Sequence, residues 1–324
     1  MNREDDWRVR KPKTFGGFPQ WEKETGAGAD FVIIGVPFVT SYPSGHLTGP
    51  VPAEVAAGPG KAPDALREAS QDFASILAHY DFEVEGEPFA GGAVKVFDYG
   101  DVRMDREDPE GSQRRATEAV RTVLAQGTVP IVLGGDHATT IPSLRAFEGR
   151  GPLCVVQIDA HLDWRDEISG VRNGFSSSMR RASEMPWIQS MAQIGLRGYG
   201  SARKQEVEAA RAFGSVLVRA EEVHEAGARD VLEKVPPAEA YYLTIDIDGL
   251  DPAIAPGVIY PSHGGLSYYQ VAQVMRGLTA KGSVIGMDMV EIAPAMDLNR
   301  RTCLLAVRLI LSLMGLLRLK KGPS

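Results

Sequence analysis

The sequence predicts an α/β fold built on a mostly parallel sheet with helices on both faces. Short β-branched runs alternate with longer amphipathic segments through all 324 residues. The strand-like runs are apolar throughout, as strands covered on both faces are. Three of them end in acidic clusters, and open parallel sheets gather ligands at the carboxyl ends of their strands.

The expected strands are residues 31–36, 94–99, 129–133, 153–159, 191–196, 215–219, 242–248 and 284–291, each a short run rich in Val, Ile, Leu or aromatic residues. The expected helices are the amphipathic stretches 62–79, 113–126, 140–147, 203–213, 228–235, 268–280 and 299–317. Residues 40–61, T-S-Y-P-S-G-H-L-T-G-P-V-P-A-E-V-A-A-G-P-G-K, break the alternation. Strand-like and helix-like patterns flank them closely, so they read as a long loop, of the kind that serves as a lid or interface arm. Residues 1–28 read as an N-terminal arm on one large domain, 1–324.

Composition narrows the functional classes. Apolar residues make up 44% and charged residues 24%, ordinary for a globular chain. The net charge of −7 comes with no basic face, which argues against nucleic acid and modestly favours a cationic substrate. Cys154 and Cys303 lie far apart, with no C-x-x-C pair, so neither a disulfide framework nor a zinc knuckle is expected. Residues 1–13 are charged and carry no apolar signal stretch. The apolar run 303–317 is broken by Arg308 and is too short for a bilayer, so a cytoplasmic protein without membrane contact is expected.

The chemistry sits in G-G-D-H at 134–137, D-A-H-L-D at 159–163 and D-I-D-G-L-D-P at 246–252. Alternate residues of a strand share a face, which groups Asp159, His161 and Asp163, and likewise Asp246 with Asp248. His137 follows two glycines, where small residues let the backbone turn closely. Four clustered aspartates repel one another unless cations neutralise them, and four negative charges match two divalent ions. Carboxylates with only two imidazoles suit Mn²⁺, while affinity order leaves Ni²⁺, Co²⁺ and Zn²⁺ open. Two such ions side by side make a hydroxide at neutral pH, so the motifs point to a metal-dependent hydrolase.

G-G-D-H-A-T-T, V-Q-I-D-A-H-L-D, L-T-I-D-I-D-G-L-D-P-A-I-A-P-G and G-M-D-M-V-E-I-A-P resemble the ureohydrolase family of arginases and agmatinases, nearer its agmatinase branch. Weaker likeness extends from I-I-G-V-P-F at 33–38 through A-P-D-A-L-R at 62–67. The resemblance implies a three-layer α/β/α sandwich with about eight strands. It implies one ion on His137, Asp159, Asp163 and Asp246 and another on His161, Asp159, Asp246 and Asp248. It implies hydrolysis of a small guanidino compound to urea and an amine, with Asp163 relaying a proton, Glu291 gripping the guanidinium, and assembly into trimers or hexamers.

The sequence departs from the family in two loops. Asn173 stands where members carry a proton-shuttling histidine, and an amide is no general acid near neutral pH. His263 stands in a loop, Y-P-S-H-G-G-L, where agmatinases read differently, and is a candidate replacement or pocket residue. Asp166 and Glu167 are candidates to meet a cationic tail, Arg165 and Arg172 a carboxylate, and Trp164 and Phe175 a flat cation. The absence of S-G-N-x-H disfavours L-arginine. His46 is a further loop candidate, Asp251 a turn residue and Asp288 a support for the ligands. The alternatives are another planar C–N substrate (a biguanide, free guanidine, a guanidino acid or a formimino compound) or a non-catalytic partner of an active homologue.

Overall fold

The computed structural model describes residues 7–24, 26–42, 58–92 and 94–320. Most of the Gly/Pro-rich loop, including His46, and the start of the N-terminal arm lie outside the described residues. The strands are β1 (Arg8–Val9), β2 (Phe31–Val36), β3 (Val96–Val102), β4 (Val129–Gly134), β5 (Leu153–Ile158), β6 (Ile188–Leu196), β7 (Val216–Arg219), β8 (Ala240–Asp246) and β9 (Ser283–Val290). They form one sheet in the order β1-β3-β2-β4-β9-β8-β5-β6-β7. All neighbours run parallel except β1, which pairs antiparallel with β3. The eight expected strands are thus present, and β1 is an added two-residue edge with no periodicity to betray it.

The α-helices among the described residues are α1 (Ala62–Ala74), α2 (Pro109–Leu124), α3 (Thr140–Arg145), α4 (Ser178–Ser183), α5 (Lys204–Phe213), α6 (Ala220–Lys234), α7 (Tyr268–Lys281) and α8 (Arg301–Lys320). The differences from expectation have local causes. The α2 helix begins early because Asp108 accepts the Gly111 amide at 2.8 Å and Pro109 takes the first helical position. The α6 helix is interrupted by Gly227 at φ 83°, so only its second half reads as a helix in the sequence. The α4 helix is a six-residue turn of chain inside a loop.

Alternation along the strands makes three layers. Phe31, Ile33, Ile131, Leu133, Val156, Leu243 and Met287 face a core with α1, α6, α7 and α8. Val32, Ile34, Val132, Val155 and Tyr242 face the opposite core with α2, α3, α4 and α5. Each fully buried aliphatic contributes roughly 1.5–3 kcal/mol. The α8 helix corrects the expected short run: it is long and apolar enough to cross a bilayer, but most of it is buried inside the protein. Cys154 and Cys303 are buried and free.

One polar network lies within this apolar packing. Arg67 on α1 is 1% exposed and donates to both oxygens of Asp98 at 2.8 and 2.9 Å and to Asp101 at 2.6 Å. Asp98 also accepts the amides of Phe15 and Gly100, and Lys11 pairs with Asp101 at 2.8 Å. Every charge in the network is matched, as burial requires.

Candidate metal centre

Four neighbouring strands, β4, β9, β8 and β5, end at one cleft. Past β4, the chain turns at Gly135, where a β-carbon would stand 1.8 Å from the Phe38 carbonyl oxygen. That close approach lets Asp136 and His137 follow at once. Asp136 caps the turn by accepting the Ala138 amide at 3.0 Å and also accepts the Thr40 amide. Past β8, the turn Ile247–Gly249 presses onto β5, and a β-carbon at Gly249 would meet the Asp159 nitrogen at 2.8 Å. Asp248 then accepts the Ala160 amide at 3.1 Å, locking the two loops together.

All six expected ligands meet here. His137 Nδ1 lies 2.9 Å from Asp163 Oδ2, 3.0 Å from Asp159 Oδ2 and 3.3 Å from Asp246 Oδ2. His161 Nδ1 lies 2.9 Å from Asp248 Oδ2 and 3.5 Å from Asp159 Oδ1. Two groups with ion-holding geometry result: His137, Asp159 and Asp246, and Asp159, His161 and Asp248. The route differs from the expected strand alternation. The β5 strand stops at Ile158, Asp248 sits on a 3₁₀ turn, and Asp163 takes a left-handed φ of 50°. Turn geometry, not a shared strand face, converges the ligands.

His137 Nδ1 is buried and, despite three nearby carboxylate oxygens, makes no hydrogen bond of acceptable geometry. Its Nε2 is 3.0 Å from Thr244 Oγ1, which can take the ring N–H and leave the Nδ1 lone pair facing the cleft. An unsatisfied nitrogen among carboxylates fits a divalent cation. Asp159 is braced from behind by Gln157, which receives the Gln193 amide at 2.6 Å, while Ser215 donates to Gln193 at 3.0 Å.

The electrostatics give the same reading. Burial, then the charges of Asp248 and Asp159, push Asp246 well above the usual carboxylate range. Burial and Asp159 push Asp163 up to about 6. Burial pulls both histidines down, but the facing carboxylates outweigh it: His137 is raised well above its ordinary value and His161 up to about 12. Burial also opposes ionisation of Asp159, yet contacts with the two histidines hold it low.

A pH dependence of stability follows. A carboxyl whose folded pKa is raised keeps a proton that the unfolded chain loses near ~3.9, so stability falls as pH rises through the folded value. A raised histidine contributes fully below ~6.5 and loses that contribution as pH rises through its folded pKa. Asp159 acts oppositely, but only at acid pH. Chelator-treated protein should therefore melt lower at about pH 8 than at about pH 5, and added Mn²⁺ should raise Tm more at the higher pH. Thermal unfolding at both pH values checks this; a metal-stripped protein that grows more stable with rising pH would contradict it.

The cleft opens into a cavity of about 550 Å³. Glu291 lines it from the end of β9, at a left-handed φ of 64°, and its Oε1 accepts the His137 amide at 2.8 Å. Desolvation and the charge of Asp136 raise its carboxyl well above the ordinary range. Trp164, Arg165 and Phe175 also line the cavity, and Phe175 packs edge-on against Tyr42 at 4.9 Å. Asp166, Asn173 and His263 do not line it. Asp166 turns out to pair with Arg181 at 2.7 Å, and Arg172 follows it at 3.3 Å. Asn173 is held by Gln113 at its carbonyl and by Arg145 at its side chain. His263 is exposed, because Arg197 grips the Ser262 and His263 carbonyls and fixes the loop with that ring outward.

Asp136, Thr244, Tyr260 and Arg106 were missed by sequence reasoning. Asp136 was in plain view inside G-G-D-H, and Thr244 lies two residues before Asp246 on one strand face. Tyr260 and Arg106 enter from loops and carry no sequence signal.

Comparison with known proteins agrees with this geometry. Guanidinobutyrase of Pseudomonas aeruginosa is 33% identical over 249 residues, 75% of this chain and 76% of that protein. The mitochondrial agmatinase of Gallus gallus is 31% identical over 297 residues, 90% of this chain and 82% of that one. The solved proclavaminate amidino hydrolase of Streptomyces clavuligerus superposes with a TM-score of 0.80 at 27% identity, covering 95% of this chain and 98% of that one. The arginase family model matches residues 29–315, and with those strand ends converging on one paired-ion cleft, the chain belongs to the arginase family.

Proposed function

We propose that the protein hydrolyses a guanidino C–N bond in a small guanidino compound, releasing urea and an amine. The observation that carries this is His137 Nδ1, buried and unsatisfied among three carboxylates beside a cavity lined by Glu291. His137, Asp159, His161, Asp163, Asp246 and Asp248 would hold two divalent cations, which would supply Lewis acidity to activate water and charge to stabilise the developing anion. The oxygen-rich ligand set favours Mn²⁺. Glu291 binds the planar guanidinium by paired charge-assisted hydrogen bonds and presents its carbon to the cleft. The Asp163 carboxylate takes a proton from the attacking water and passes it to the departing nitrogen as the C–N bond breaks, while the buried Trp164 and the half-buried Phe175 line the cavity. We assign the chain to the cytoplasm as a single catalytic domain in a homo-oligomer, trimer or hexamer; light scattering tests the assembly.

A urea-release screen of guanidino compounds with Mn²⁺- and Ni²⁺-loaded protein tests the reaction. Urea with an organic amine supports it; formamide, guanylurea or ammonia as the only co-product would replace it with another planar C–N substrate. Glu291→Gln should lower kcat/KM by about 100-fold or more, since it removes a charged partner of the substrate. Unaltered kinetics would take Glu291 out of the binding site.

A further inference from the structure

The paired-ion centre and Glu291 account for the guanidinium end of a substrate and leave its tail to the rest of the cavity. Among the described residues, two arginines line that cavity, Arg106 and Arg165. Arg165 is spoken for: its Nε lies 3.2 Å from Glu206 Oε1, while Glu206 Oε2 accepts the Arg203 amide at 2.7 Å. Arg106 is exposed at the rim and has no ion pair among the described residues.

The acceptors are already used. Asp163, Asp246 and Asp248 face the two histidines, Asp136 accepts the Thr40 and Ala138 amides, and Glu206 holds Arg165. No carboxylate of the described wall is left for an ammonium. Two buried donors of the described wall have no partner. The Trp164 indole N–H is buried in the wall with no partner, and so is the Tyr260 hydroxyl. A wall with a free guanidinium and spare donors matches an anion, and a guanidinium pairs with a carboxylate in a planar two-point contact.

We propose that the substrate is an ω-guanidino carboxylic acid whose carboxylate pairs with Arg106, an inference that rests on the guanidino-hydrolase reading above. An ammonium-tailed guanidine meets the Arg106 charge instead and is disfavoured.

The test is urea release by Mn²⁺-loaded protein from three guanidines of equal chain length: 4-guanidinobutanoate, agmatine and uncharged butylguanidine, with 3-guanidinopropanoate as a shorter acid. The expected order of kcat/KM is an acid first, by at least about tenfold over butylguanidine, and agmatine last. Arg106→Ala should cut the acid-to-butylguanidine ratio roughly 10- to 100-fold, chiefly through KM. Arg106→Lys should keep part of it, and Arg106→Glu should turn the preference toward agmatine. Agmatine matching or exceeding both acids, or an Arg106→Ala ratio equal to that of the parent, overturns the carboxylate tail and leaves guanidino hydrolysis standing. Urea from none of the four overturns the hydrolase reading itself, and the tail with it.

Discussion

An Asp159→Asn protein will fold, bind divalent cations far more weakly, and release urea at less than about a hundredth of the parent rate. Asp159 belongs to both ion-holding groups, with one oxygen toward each histidine. An amide keeps the shape but removes the negative charge and one acceptor. Loss of a group that merely supports a metal ligand typically costs about 10- to 100-fold, so loss of a ligand shared by two ions should exceed that. Elemental analysis and calorimetric titration check the binding. A variant that retains two equivalents of Mn²⁺ per chain and parent-like turnover would remove Asp159 from the centre. Its metal-free form should lose some stability near neutral pH, because the two histidines that hold the Asp159 carboxyl low would face a neutral amide instead.

Arg67→Met should be the most destabilising of the substitutions considered, at about 3–5 kcal/mol in denaturant unfolding. The methionine approximates the stem but leaves Asp98 and Asp101 buried, with Lys11 as the remaining cation on Asp101. Removing one partner of a buried pair costs more than replacing the whole set with apolar groups. The combined Arg67→Met, Asp98→Leu, Asp101→Leu protein should therefore recover part of the loss, although Asp98 also receives the Phe15 and Gly100 amides. A single Arg67→Met variant within about 1 kcal/mol of the parent would mean that water reaches the two aspartates.

Much of the sheet was legible because its strands are fully covered. Runs such as L-C-V-V-Q-I have no polar face to confuse the reading, and β2 begins and ends where its apolar run does. Elements shaped by neighbours were less legible. The β1 strand exists only because Val102 and Asp101 offer an edge, and Gly227 hides the first half of α6. The ligands were legible as residues, but not the way they converge. The cleft depends on loops whose paths are set from a distance, by Phe38 against Gly135 and by Arg197 across the carbonyls of 248–250 and 262–263. His263 and Asp166 fail as pocket residues for that reason: a histidine or aspartate in a loop says what it can do, while Arg197 and Arg181 decide which way it points.

The centre's six side chains are drawn from loops after β4, β5 and β8, which join the two halves of the sheet across β9. Ions seated there would act as cross-links between distant stretches of chain, stabilising the molecule by binding its folded form in preference to the unfolded chain. The complete ligand set forms only when the central strands have found their order, so cation capture is coupled to folding. Loss of the ions loosens the middle of the molecule before its edges, so hydrogen exchange in chelator should quicken first at the 134–139 and 246–250 turns.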